Sequence, residues 1–156
     1  MRCWILKSEP DAFSIDHLQA LKGQTTLWDG VRNYMARNNL VAMKVGDRGY
    51  FYHSSCAVPA IVGEMEVIAE AIPDATAFDP KSKYFDAKSK PEKPIWFTPQ
   101  FRFVKKYAEP LTREMLAAAG LKDSQLFKSF RLSVIPLTEK ENKIIEKLLQ
   151  GRKKNE

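Results

Sequence analysis

Apolar and polar positions alternate most clearly between Ile61 and Ala71. Ile61, Gly63, Met65, Val67, Ala69 and Ala71 form a small or apolar set, interleaved with Val62, Glu64, Glu66, Ile68 and Glu70. A period of two predicts a strand with one face inward and a largely acidic face outward, ended by Pro73-Asp74. The apolar run 3–6 predicts a buried strand, which Lys7-Ser8-Glu9-Pro10 terminates because proline disfavours continuation. Val45-Gly46-Asp47 turns the chain into a strand over 48–53. Alternation of Phe101, Phe103 and Lys105 with Arg102, Val104 and Lys106 predicts another, and residues 131–135 a late one.

Helices follow from caps and stripes. Ser14 can cap a short helix to about Lys22, stopped by Gly23. A second helix is expected over 33–43, with Met35, Leu40 and Met43 facing inward. Thr112 can cap a third, ended by Gly120. Thr138 and Glu141 have capping-box spacing, and Ile144, Ile145, Leu148 and Leu149 form the apolar stripe of a last helix that Gly151 closes. Residues 1–150 then form one domain, and 151–156 a frayed basic tail. Between 79 and 94 the chain is irregular and lysine-rich, and a loop that long in a compact domain is usually functional or mobile. Such elements do not alternate regularly enough for a doubly wound parallel sheet. They fit an α+β fold, a mixed or antiparallel sheet curled towards a barrel and flanked by short helices.

Composition narrows the class. Hydrophobic residues are 44% and charged residues 28% of 156, which suits a globular chain rather than a disordered one. No apolar run approaches the ~20 residues that span a bilayer, so no membrane partner is expected. The two cysteines, Cys3 and Cys56, are far apart and in no metal-ligand spacing, which fits buried thiols in a reducing, cytoplasmic compartment. A net charge of +6 permits a polyanionic partner without establishing one.

Candidate chemistry concentrates in residues 26–38, where Trp28, Asp29, Gly30, Arg32, Asn33, Tyr34, Arg37 and Asn38 crowd planar and polar groups together. Aromatic faces stack on planar ligands, amides read donor and acceptor edges, and guanidinium groups hold phosphates. Two readings fit. In one the segment lines a pocket for a nucleic-acid base. In the other it is a loop entering a helix, with Trp28 on the core, Asp29 or Asn33 as cap and Arg37 solvated. His17 and His53 share no Cys/His/Asp cluster, so no metal is expected, and no phosphate-cradling glycine motif or nucleophile elbow is present. Tyr52-His53-Ser54-Ser55 could hold a histidine-activated serine, but adjacency in sequence is weak support because triads assemble in space. From Lys81 to Lys106 basic residues, including Lys88, Lys90 and Lys93, interleave with Tyr84, Phe85, Trp96, Phe97 and Phe101. A phosphate track with stacking platforms needs that mixture, and a solvated loop beside a core strand also has it.

Six spaced segments carry a family resemblance: Trp4-Ile5-Leu6-Lys7-Ser8-Glu9-Pro10, Trp28-Asp29-Gly30-Val31-Arg32-Asn33-Tyr34 with Ala36-Arg37-Asn38, Met43-Lys44-Val45-Gly46-Asp47, Tyr52-His53-Ser54-Ser55, Pro73-Asp74, and Arg131-Leu132-Ser133-Val134. In order and spacing the chain resembles the EVE domain family. The resemblance implies a PUA-like pseudo-barrel and a non-catalytic module that binds a modified base, a modified cytosine in DNA or a modified RNA base. It implies no cofactor, a nucleic-acid partner and a monomer. Carried over by motif, Lys7, Ser8, Glu9, Trp28, Gly30, Val31, Asn33, His53, Ser54 and Ser55 should gather around the base. Trp28 is the candidate aromatic wall, and Asn33 with the backbone near Gly30 the candidate edge readers. Arg32, Arg37, Lys88, Lys90, Lys93 and Arg131 are phosphate candidates, Arg131 being the most structural of the arginines. The chain lacks the long basic N-terminal extension of the nuclear eukaryotic members and so resembles the free-standing bacterial form. The alternative function is a small nucleic-acid-processing enzyme or subunit with His53 as acid–base.

Overall fold

A computed structural model describes residues 1–153. The chain opens on β1 (Cys3–Ser8), whose first four residues are buried. β1 lies parallel to β3 (Arg48–His53) and antiparallel to β6 (Val134–Pro136). A parallel pair needs a long crossover. Here the crossover carries α1 (Ile15–Ala20), β2 (Thr25–Leu27) and α2 (Tyr34–Ala42). β4 (Ala60–Pro73) and β5 (Phe97–Thr112) complete one sheet in the order β2-β5-β4-β3-β1-β6. The sheet is mixed and not closed, with β2 and β6 at its edges.

β-Bulges curl this sheet. Pairing of β4 with β5 shifts register between Ile61 and Gly63, Glu64 and Met65, Val67 and Ala69, and Ala69 and Ile72. Each extra residue bends the strand and raises its twist. A Cβ on Gly63 would collide with the Lys105 carbonyl, so the first bulge depends on a bare backbone. The curl also breaks the expected outward acidic face at Glu64, while Glu66 and Glu70 remain unburied. Glu64 is buried, accepts the Tyr107 hydroxyl at 2.5 Å and pairs with Arg48 at 3.3 Å.

Local chemistry sets the other elements. Ser14 and His17 cap α1 reciprocally, and the helix ends at Ala20, before a 3₁₀ turn over Lys22–Gln24 in which Gly23 is left-handed. α2 is phased by its Asn33 cap, which turns Ala36, Leu40 and the following Met43 inward. Met35 is one position off that stripe and is 60% exposed, contrary to expectation. Thr112 caps α3 (Arg113–Leu116), followed by a π turn over Ala117–Leu121 and the unforeseen α4 (Gln125–Lys128). α5 (Glu139–Lys153) opens on the Thr138–Glu141 capping box. It runs through Gly151 rather than stopping there, and Arg152 on its last turn donates to the Glu109 and Pro110 carbonyls. Of the expected tail, residues 154–156 lie outside the described residues.

The start of the sheet hangs on Asp47, which is 4% exposed. Its carboxylate accepts from Arg2 N at 3.0 Å, Trp4 Nε1 at 3.1 Å and Lys44 N at 3.0 Å. Asp47→Ala orphans three donors, each costing roughly 1–3 kcal/mol when buried. Urea denaturation should show a loss of at least about 2 kcal/mol with an unchanged slope. A loss below about 0.5 kcal/mol would mean that water replaces the carboxylate.

Candidate functional site

Residues 28–33 leave the edge strand β2 and enter α2. Trp28 is only 7% exposed, and its backbone N–H donates to Thr98 Oγ1 at 2.6 Å. Phe51, Phe101 and Phe13 meet the indole edge-on at 5.4, 5.9 and 6.2 Å between ring centres. The ring is therefore part of the core and forms the floor of the site, not the free-standing wall expected from sequence. Trp4 and Trp96 donate their indole N–H groups to Asp47 and Asp86, whereas Trp28 Nε1 has no such partner among the described residues.

Gly30 is left-handed, with φ +80°, and its N–H donates to Asp74 Oδ2 at 2.9 Å. A Cβ there would stand 2.7 Å from the Tyr84 ring. Glycine thus serves twice, for the turn and for the close approach of the 79–94 loop. Arg32 fastens the same loop. Nε and Nη2 donate to the Tyr84 carbonyl, Nη1 to the Val31 carbonyl and Asp74 Oδ2, and Nη2 also to Thr76 Oγ1. These bonds engage all five guanidinium N–H groups. Arg32 has no donor left for phosphate, so its expected phosphate role is corrected to a structural one.

Asp74 is the common acceptor. It is 2% exposed, and burial alone would raise its pKa. Hydrogen bonds from the Thr76 side chain, Gly30 N, Arg32 and Thr76 N outweigh burial and hold the carboxyl below its usual range. Asp29 is pushed the other way, by desolvation and by the nearby Asp74 charge.

Above this node lies a cleft of about 600 Å³, within the ~300–1,000 Å³ typical of small-ligand sites. Trp28, Gly30, Val31, Arg32, Asn33, Lys7 and Ser8 line it, together with Phe13, Lys83, Tyr84 and Ser133. Of the aromatics in the basic run, Tyr84 is the one that lines the cleft. Its signal was an aromatic pair in a long basic loop, but which ring turns inward depends on the Arg32 and Gly30 contacts. Asn33 Oδ1 accepts from Ala36 N at 2.9 Å as the cap of α2, which leaves its Nδ2 donors for the cleft. Lys7 is half-buried, and burial, then Arg113, lower its pKa. Its Nζ donates to the Phe130 carbonyl at 3.2 Å. A desolvated cation without a carboxylate partner among the described residues marks a functional candidate.

The remaining candidates do not join this cleft. Glu9, Ser54, Ser55 and Arg131 line a second cavity of about 310 Å³, which shares Lys7, Ser8 and Ser133 with the first. His53 lines neither. Its Nε2 accepts from Ile15 N at 3.1 Å, at the first turn of α1, and the ring meets Phe51 edge-on. That nitrogen is committed to a backbone group, so His53 makes a structural contact here and does not line the cleft as the resemblance implied. Arg37 donates to the Ile95 carbonyl and Asn38 Oδ1 and lies over the Tyr34 ring, outside both cavities. Lys88, Lys90 and Lys93 are exposed on the 79–94 loop, also outside both.

An open, curled, mixed sheet flanked by short helices, with a polar cleft beside the β2–α2 segment, defines a PUA-like α+β domain. The chain belongs to the EVE domain family, whose sequence model matches residues 2–148. It is 42% identical over 156 residues to thymocyte nuclear protein 1 of Gallus gallus, covering 88% of this chain and 64% of that protein. The chain therefore spans less than two thirds of that relative's length. The crystal structure of human THYN1 protein in complex with 5-methylcytosine containing DNA superposes with a TM-score of 0.90 at 38% identity, covering 95% of this chain and 97% of that one. A crystal structure from Pseudomonas putida superposes with a TM-score of 0.86 at 44% identity, covering 94% and 98%.

The His53 contact has a pH signature. Burial lowers its pKa, Asp16 opposes that and Lys106 adds to it. The folded state therefore binds the proton less readily than the unfolded chain, whose histidine titrates near ~6.5. Stability from neutral His53 is complete above that value and is lost as pH falls through the folded pKa. Thermal melts at neutral and mildly acidic pH should show a larger fall for the wild type than for His53→Gln, whose amide oxygen can still accept from Ile15. Equal falls would contradict the assignment.

Proposed function

We propose that this chain is a non-catalytic nucleic-acid-binding module that draws a modified base, a methylated cytosine in DNA first, into the cleft beside Tyr84. The observation that carries this reading is the composition of the cleft. It combines a half-exposed aromatic ring, apolar surface from Val31 and Leu27, free donors on Asn33 and Trp28, and the cation of Lys7. An extruded base needs a face to stack on, a partner for its edge and a cation near its phosphate, and a methyl group needs apolar contact. The DNA complex of the human family member supports the ligand class. Lys83, Lys88, Lys90 and Lys93, on the loop that carries Tyr84, supply the diffuse attraction to phosphate.

Binding without chemistry is supported by how the candidate groups are occupied. His53 Nε2 holds a helix N–H, and Ser8 Oγ donates to the Phe13 carbonyl at 2.6 Å. No helix of the described residues is long and apolar enough to cross a membrane. Both cysteines are free thiols, which supports a reducing, cytoplasmic setting.

The test is a binding screen of single- and double-stranded oligonucleotides, DNA and RNA, carrying each common base modification, with each product checked for turnover. Tyr84→Ala should fold, because the hydrogen bonds from Arg32 go to the Tyr84 carbonyl and survive loss of the ring. It should weaken the preferred ligand by roughly 1–3 kcal/mol, the worth of one stacked base. Full affinity in Tyr84→Ala, or conversion of a labelled oligonucleotide, would overturn the proposal.

A further inference from the structure

The second cavity meets the cleft at the end of β1, because Lys7, Ser8 and Ser133 line both. At its rim Phe130 is 71% exposed, more than any other aromatic side chain among the described residues. The ring's backbone is fixed. The Phe130 carbonyl accepts from Lys7 Nζ, and Leu132 N donates to the Ser129 carbonyl at 2.8 Å. The Arg131 guanidinium lies 5.8 Å from the ring centre. On the other side Ser55 is left-handed, with φ +52°, a conformation that costs free energy in a residue with a side chain. Ser54 N is held by the Ser8 carbonyl at 3.0 Å. Glu9 adds a carboxylate to the same lining.

That chemistry is mixed. Arg131 and Lys7 attract an anion, Glu9 repels a bare one, and Phe130 offers an exposed aromatic face. A nucleotide satisfies all three, since it carries a phosphate, amino or hydroxyl donors for a carboxylate, and a planar base. We infer that the second cavity is a subsite for the nucleotide flanking the base held in the cleft, with Phe130 as its stacking platform and Lys7 and Arg131 on the phosphate that joins the two. The order of the two subsites rests on the base-binding reading of the cleft. The existence of the second does not.

The experiment is an amide NMR titration of the full chain with four probes. These are 5-methyl-2′-deoxycytidine, a deoxytrinucleotide with a central methylated cytosine, the same trinucleotide unmethylated, and inorganic phosphate. The methylated trinucleotide should move the signals of Ser54, Ser55 and Phe130 to Leu132, which line the second cavity alone and which the nucleoside leaves in place. It should also bind about tenfold more tightly than the nucleoside, as one further stacked base implies. Phe130→Ala, a change at an exposed ring that should not disturb folding, should remove most of that gain and leave nucleoside affinity unchanged. Arg131→Gln should flatten the salt dependence of trinucleotide binding. An unmethylated trinucleotide that moves the second-cavity signals while the nucleoside moves none in the cleft would support this subsite and sink the base reading. Trinucleotide binding that leaves the second-cavity signals still, equal losses for nucleoside and trinucleotide in Phe130→Ala, or inorganic phosphate binding as tightly as the trinucleotide would each overturn the inference.

Discussion

The Asp74 carboxylate, buried at the end of β4, receives Gly30 N–H, Arg32 Nη1 and the Thr76 N–H and hydroxyl, and two walls of the cleft, the segment after β2 and the 79–94 loop, are tied to those donors. Gly30 and Arg32 belong to the segment between β2 and α2. Through Arg32 the Tyr84 carbonyl is tied in as well, and with it the 79–94 loop. One carboxylate therefore fixes two stretches of chain that no strand pairing joins. A buried charge is tolerable only when its hydrogen bonds are complete, and this set of partners meets that demand. Breaking it would release the segment and the loop together, because Arg32 has no other salt-bridge partner among the described residues.

The electrostatics of the site follow from that node. Arg32 is consumed in structure, so the cations left to face a ligand are Lys7, Lys83 and, in the second cavity, Arg131. They are few and differently placed, Lys7 half-buried and the others at the rim. Such an arrangement suits a site that holds one unit of a polyanion in a defined pose more than one that simply accumulates charge. The surplus of lysine on the long loop supplies the unspecific part.

Local signals were legible in the sequence where one physical effect dominates. The strand Arg48–His53 lies where the preceding turn placed it, the capping box starts α5, and Asn33 does cap α2. The family and the PUA-like class were legible from the spaced motifs. What escaped depends on contacts between distant segments. Period two placed Glu64 outward, but the bulges on β4 curl the sheet over it and bring Tyr107 and Arg48 to its oxygens. Arg32 looked like a phosphate ligand because little that is local consumes a guanidinium; four of its five hydrogen bonds reach partners 42 to 52 residues away. Of the two readings of Trp28, base-pocket wall or core residue, the packing follows the second although the ring also lines the cleft, since the three phenylalanines around it come from three other parts of the chain. His53 sat in a suggestive motif, yet its partner is a helix N–H that no sequence pattern announces.

The most direct test of the central claim, that the cleft above Asp74 accepts a base, is a crystal structure of this chain with a short oligodeoxynucleotide carrying one 5-methylcytosine. The expected result is a methylated base unstacked from its strand, lying in the cleft against the Tyr84 ring with its edge towards Asn33. A methylated base still stacked in its strand, with the DNA held elsewhere on the surface, would contradict it.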